Sequence, residues 1–180
     1  MNNIEIKASS KYDWETIKKF NRFHILSRAR FFNVLILLME IYMIFVFAFA
    51  AISQKFTTGL LPSFCLFLLW NAFIVFVYFG LPKIRYNKNK VIKNSENHFV
   101  FTENDVTETS GNGLHTGTSA VKYDAMWRVY ETKGYIYLYI NSNQSYIVDK
   151  STVTGGTVED LRMLLISKIG EKKYKMKFKV

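Results

Sequence analysis

The sequence predicts an α+β membrane protein, in which a two-helix transmembrane hairpin carries a small antiparallel β domain closed by a C-terminal helix. Three observations lead there. Residues 31–52 and 60–81 are two apolar runs, each about as long as the roughly 20 residues a helix needs to cross a bilayer. Residues 98–150 alternate apolar and polar side chains in short runs divided by turn residues, the pattern of half-buried strands. Val158, Leu161, Leu164, Leu165 and Ile169 then recur at helical spacing, a stripe that one face of a helix buries. The 180 residues divide accordingly into an N-terminal strand and amphipathic helix over 1–30, the hairpin over 31–82, and a cytoplasmic domain over 83–180.

At the N-terminus, Ile4, Ile6 and Ala8 alternate with Glu5 and Lys7. Period two over so short a run marks a strand that needs a sheet to join, and the edge of the later sheet is the expected place. Over 10–30, Trp14, Ile17, Phe20, Phe23 or His24, and Ser27 recur at helical spacing, with Lys18, Lys19 and Arg22 elsewhere on the surface. That face suits either the membrane interface or the β domain.

Within the two apolar runs the ionisable side chains are Glu40, Cys65, Tyr42 and Tyr78. Ala48-Phe49-Ala50 imitates a signal-peptide cleavage site, but the apolar run is too long and a second one follows at once. The break over 53–59 is polar, ends in Gly59 and is too short to hold a domain. Both ends of the hairpin therefore lie on one side. Lys18, Lys19, Arg22, Arg28 and Arg30 precede the first run and Lys83, Arg85, Lys88, Lys90 and Lys93 follow the second, against Lys55 alone in the break. Basic residues stay in the cytoplasm, so the expected location is the inner cell membrane, multi-pass, with both termini cytoplasmic. Glu40 costs about 2.5–3.5 kcal/mol if charged at mid-bilayer and needs a partner. Antiparallel pairing puts position 40 near the depth of Asn71, and a hydrogen bond between them is worth about 0.6–2 kcal/mol.

The formal charge of +10 concentrates beside the apolar runs and in the last ten residues. Lys18, Lys19, Arg22, Arg28, Arg30, Lys83, Arg85, Lys88 and Lys90 are the expected contacts to anionic lipid, at about 1 kcal/mol each, and nucleic acid is not an expected partner. Another membrane or cytoplasmic protein, or a second copy of the chain, is. The single cysteine excludes an internal disulfide, and His24, His98 and His115 lack the spacing of metal ligands. Gly111-Asn112-Gly113 with Gly117 misses the spacing of a dinucleotide loop and reads as a turn, while Gly155-Gly156-Thr157 reads as a turn and helix cap. No cofactor and no enzymatic activity are expected.

Strands are expected over 98–102, 106–110, 114–123, 127–133, 135–141 and 145–150, forming one antiparallel meander. Thr157 caps a helix to Ile169, and 172–180 forms an edge strand or a basic tail at the membrane. Glu131 lies beside Arg128 and Lys133 on a strand, and a solvated surface pair is expected there in preference to a cross-strand ion pair. Tyr135, Tyr137 and Tyr139 share one face of a strand, opposite Ile136, Leu138 and Ile140, with packing beneath the C-terminal helix favoured over an exposed binding face. Six or seven short strands and one C-terminal helix are analogous to a pleckstrin-homology-like barrel or sandwich.

The chain also resembles the YcxB-like family of small bacterial membrane proteins. Tyr123, Trp127, Val129 and Glu131 carry the resemblance, followed by Tyr135-Ile136-Tyr137-Leu138-Tyr139-Ile140, Ile147-Val148-Asp149-Lys150 and the leucine-bearing helix from Thr157. Where the family often has proline before the lysine, this chain has Asp149. The resemblance implies an architecture, a helical membrane hairpin followed by a small C-terminal domain, and brings no catalytic residues. The expected role is a membrane anchor for a cytoplasmic interaction or regulatory domain. The alternative is a subunit of a transporter, channel or immunity-type system that uses Glu40.

Overall fold

The computed structural model describes residues 5–28, 30–53, 60–113, 115–142 and 144–177. In chain order its elements are β1 (Ile6–Lys11), α1 (Trp14–Arg28), α2 (Arg30–Ile52), α3 (Leu60–Val75), a π-helical turn (Phe76–Gly80) and α4 (Leu81–Lys88). Then come β2 (Glu96–Phe101), β3 (Asp105–Gly111), β4 (Thr116–Lys122), β5 (Arg128–Glu131), β6 (Tyr135–Tyr139), β7 (Ser145–Asp149), α5 (Val158–Ile169) and β8 (Tyr174–Met176). Two compact units result: Met1–Ile17 with Asn89–Val180, and Lys18–Lys88.

β1 extends further than the alternation over 3–8 suggested, because the inward parity continues through Ser10, which is buried like Ile6 and Ala8. Residues 1–4 lie outside the described residues. The following helix starts late, at Trp14, where Asp13 Oδ1 accepts the backbone N–H of Thr16 at 2.8 Å and satisfies one of the free amides of the first turn.

The strands form two four-stranded sheets, β1-β2-β3-β4 and β7-β6-β5-β8, in place of one continuous meander. The break falls after β4, where a 3₁₀ turn over Tyr123–Ala125 buries Tyr123 and sends its hydroxyl to the carbonyl of Thr102 at 2.7 Å. All pairings are antiparallel except β5 with β8. β1 takes an edge of the first sheet and is laced to the segment after β7. Lys7 and Thr154 exchange two backbone hydrogen bonds of 2.8 Å, and the Thr152 hydroxyl accepts from Ser9 N and donates to Ser9 O. Gly155 (φ +75) permits this approach, since a Cβ there would meet the carbonyl of Glu5.

Between the sheets, Phe99, Phe101, Val106, Val129, Ile136, Leu138 and Val148 are fully buried with Leu161 and Leu165 of α5. Thr157 and Asp160 close a reciprocal capping box that starts α5. On the tyrosine face of β6, Tyr137 and Tyr139 are buried and Tyr135 half-buried, but not beneath this helix, which packs on the opposite face with Ile136 and Leu138. Tyr139 instead makes edge contacts with Tyr130 and Trp127, and Tyr137 stacks on Tyr135.

In the helical unit, Asn33–Ile52 and Leu61–Lys88 are each long and apolar enough to cross a membrane. Their pairing is antiparallel: Asn33 meets Tyr78, Glu40 meets Asn71, and Phe47 meets Phe64. Positions 33, 40 and 47 stand opposite 78, 71 and 64, a seven-residue step on both helices, as in a coiled-coil seam. The second helix runs on past Pro82 to Lys88. Proline would crowd the carbonyl four residues back, and the π turn ahead of it, where Leu81 N bonds Phe76 O, widens the backbone at that place. The connection over 54–59 lies outside the described residues.

Candidate functional site

In the β unit the pleat decides which polar side chains go inside. Glu131 follows Val129 on the inward side of β5, Lys150 follows Val148, and Tyr174 of β8 stands directly beside Val129. α5 adds Arg162 next to its buried Leu161. The four side chains converge. Glu131 is 0% exposed, and its Oε1 accepts from Lys150 Nζ at 2.6 Å and Arg162 Nη2 at 2.8 Å. Its Oε2 accepts from Arg162 Nε at 2.7 Å and from the Tyr174 hydroxyl at 2.6 Å. Arg162 spends its remaining arm on Glu159. Burial alone would push the Glu131 carboxyl up, but the bonds from Arg162, Lys150 and Tyr174 together outweigh it and hold the group at about 2. Such a carboxylate takes up no proton at neutral pH and serves as a joint between β5, β7, α5 and β8.

The partners expected for Glu131 are not the ones it has. Arg128 has the opposite parity and leaves the core, laying its guanidinium 4.5 Å over Trp127 and donating to the Tyr130 hydroxyl. Lys133 lies in the turn between β5 and β6. Nor is Glu131 at a solvated surface as expected: it shares the inward side of β5 with Val129, and Arg162 and Tyr174, which enclose it, come from later in the chain.

A second buried carboxylate, Glu108 on β3, meets no cation among the described residues. Its oxygens accept from Asn97 Nδ2 at 2.7 Å and from the Ser119 hydroxyl at 3.2 Å. Asn97 in turn accepts from Ser95, and Ser119 shares a 2.7 Å bond with the Tyr146 hydroxyl. Burial pushes the Glu108 carboxyl up, and the neutral donors Ser119, Asn97 and Ser110 offset only part of that. Nothing in local sequence singled out this group.

In the helical unit, Asn71 Nδ2 donates to Glu40 Oε2 at 3.1 Å and to the Phe67 carbonyl at 2.9 Å. Glu40 Oε1 is shielded and accepts no bond among the described residues. One heptad away, the Tyr78 hydroxyl donates to Asn33 Oδ1 at 2.5 Å, and Asn33 Nδ2 to the carbonyl of Ile25 at 3.1 Å. The Asn33–Tyr78 pair was missed, although the same step of seven from Glu40 and Asn71 reaches it. Lys18, Lys19, Arg22, Lys83, Arg85, Lys88 and Lys90 are exposed, and the side chains of Arg28 and Arg30 lie outside the description. Among the described residues no three His, Cys, Asp or Glu side chains converge to hold a metal ion.

Residues 101–165 match a family model, described as YcxB-like protein. No curated protein matches the chain. No solved structure matches it either.

Proposed function

The chain is YcxB-like over residues 101–165, and from that premise we propose that the protein is an integral inner-membrane anchor presenting a pleckstrin-homology-like β unit to the cytoplasm. The observation that carries this is the helical pair. Its two long helices leave Leu38, Phe45, Leu66 and Leu69 more than half exposed, a surface that water would not tolerate and acyl chains would. The polar side chains Asn33, Glu40, Asn71 and Tyr78 meet one another between the helices, as membrane helices require. The β unit keeps its two buried carboxylates bound up in the fold and supplies recruitment of a protein or lipid surface, not catalysis. Basic residues on both flanks of the hairpin hold it to the anionic leaflet.

Single cysteines at Thr57 and Glu103 in a Cys65→Ser background test this with an impermeant thiol reagent on intact cells. Labelling at Thr57 alone is the expected result. Labelling at Glu103 but not Thr57 overturns the cytoplasmic placement, and release of the protein from membranes by carbonate overturns the anchor.

The unpartnered Glu40 Oε1 favours a second reading, a transporter or channel subunit in which Glu40 takes up a proton or cation. Glu40→Gln decides between them: an anchor tolerates it, and ion movement is lost.

A further inference from the structure

The chain passes from α4 to β2 through a loop over 89–95 that is bonded at nearly every residue. Asn89 Oδ1 accepts the N–H groups of Val91 and Ile92, both at 3.1 Å. Lys93 N donates to the Asn89 carbonyl and Ser95 N to that of Ile92. Asn94 adopts φ +56 and donates its amide to the carbonyl of Tyr12 at 3.1 Å. From the β3–β4 turn, Asn112 Nδ2 reaches back to the carbonyls of Lys90 and Val91, at 2.5 and 3.0 Å, while its Oδ1 accepts from His115 N.

This frame holds Val91 54% and Ile92 40% exposed, flanked by the exposed Lys90 and Lys93. Two branched apolar side chains fixed in water gain nothing from burial, so the frame makes sense with an occupant opposite them. Charge and chain continuity name it. Lysines beside an apolar pair match the boundary between anionic headgroups and acyl chains. Val91 lies only ten residues past Leu81, the end of the apolar run, and the helix between rises about 1.5 Å per residue as far as Lys88.

We infer that the 89–94 loop is a lipid-docking finger: Val91 and Ile92 enter the headgroup boundary of the anionic leaflet, Lys90 and Lys93 bind its phosphates, and Asn112 transmits that hold to the sheet. The inference rests on the membrane-anchor reading, and its test separates the two. Full-length protein in a Cys65→Ser background carries one nitroxide at Ile92, at Glu103 or at Phe45, in nanodiscs of anionic or purely zwitterionic lipid. Glu103 follows the far end of β2, about 20 Å away at the usual rise per residue, and controls for the label's own affinity for lipid.

Phe45 and Ile92 labels should collide with oxygen in preference to a water-soluble nickel complex, and the Glu103 label the reverse. At Ile92 the preference should fall in zwitterionic lipid and on Lys90→Gln with Lys93→Gln, each lysine being worth about fivefold in partitioning. An Ile92 label as water-accessible as Glu103, with Phe45 in lipid, overturns the finger and leaves the anchor. An Ile92 label shielded from both reagents overturns it in favour of a protein contact. A lipid-exposed Ile92 indifferent to lipid charge and to both lysines overturns the phosphate contacts. Water exposure at all three positions overturns the anchor as well.

Discussion

Glu131 and Glu108 are both shielded from water in the β unit, yet their surroundings drive them in opposite directions. Glu131 sits among Arg162, Lys150 and Tyr174 and is held at about 2; its unfolded value is that of an ordinary glutamate. It therefore stabilises the fold above the ordinary carboxyl value, and this contribution fades as pH falls from there through about 2. Glu131→Gln removes the buried negative charge that Arg162 and Lys150 share, and a loss of about 3–5 kcal/mol is expected, read by urea unfolding in detergent through the near-ultraviolet dichroism of the packed tyrosines. Glu108 is pushed up by burial and has only neutral donors. Its contribution is complete below the ordinary carboxyl value and is lost as pH rises through the raised folded value. Glu108→Gln should thus flatten the pH–stability profile above the ordinary carboxyl value while Glu131→Gln flattens it below that value. Identical responses of the two variants would refute the contrast.

At the scale of the element, the helical pair is defined by its seven-residue step. Asn33–Tyr78, Glu40–Asn71 and Phe47–Phe64 follow one another along one seam, a heptad or about two turns apart. A double-mutant cycle with Glu40→Leu and Asn71→Leu should return a coupling of about 0.6–2 kcal/mol, measured by reversible unfolding in mixed micelles, whereas zero coupling would mean the two side chains act independently. Glu40→Gln keeps an acceptor for Asn71 and should cost less than Glu40→Leu in the same assay. β1 shows how an element's identity and its location are separate questions. Alternation defines a strand, but its place between β2 and the segment at Thr152–Thr154 follows from the hydrogen bonds of Lys7 and Ser9.

The β unit is discontinuous in sequence, since Met1–Ile17 groups with Asn89–Val180 and Lys18–Lys88 is inserted between them in the chain. Tyr12 closes the join: its carbonyl accepts from Asn94 N, and its hydroxyl accepts from Ile147 N at 2.8 Å. Residues 83–180 alone lack β1 and should not unfold cooperatively, whereas residues 1–17 joined through a flexible linker to 89–180 should fold as a soluble unit. Calorimetry of the two fragments checks this, and cooperative melting of the shorter one would show β1 to be dispensable.

The chain by itself determined what depends on neighbours in sequence: the two apolar runs, the turns at Gly111-Asn112-Gly113 and Gly155-Gly156, and the cap at Thr157. Matching depths along two antiparallel helices also sufficed to set Asn71 beside Glu40. Only the tertiary structure decided that the strands split into two sheets after β4, that β8 returns parallel to β5, that Arg162 and Tyr174 complete the Glu131 joint, and that Asn112 clamps the 89–95 loop. Periodicity fixes which side of an element is buried. It carries no information on which distant element covers that side, because that is settled by the shapes and unpaired polar groups that meet when the chain closes on itself.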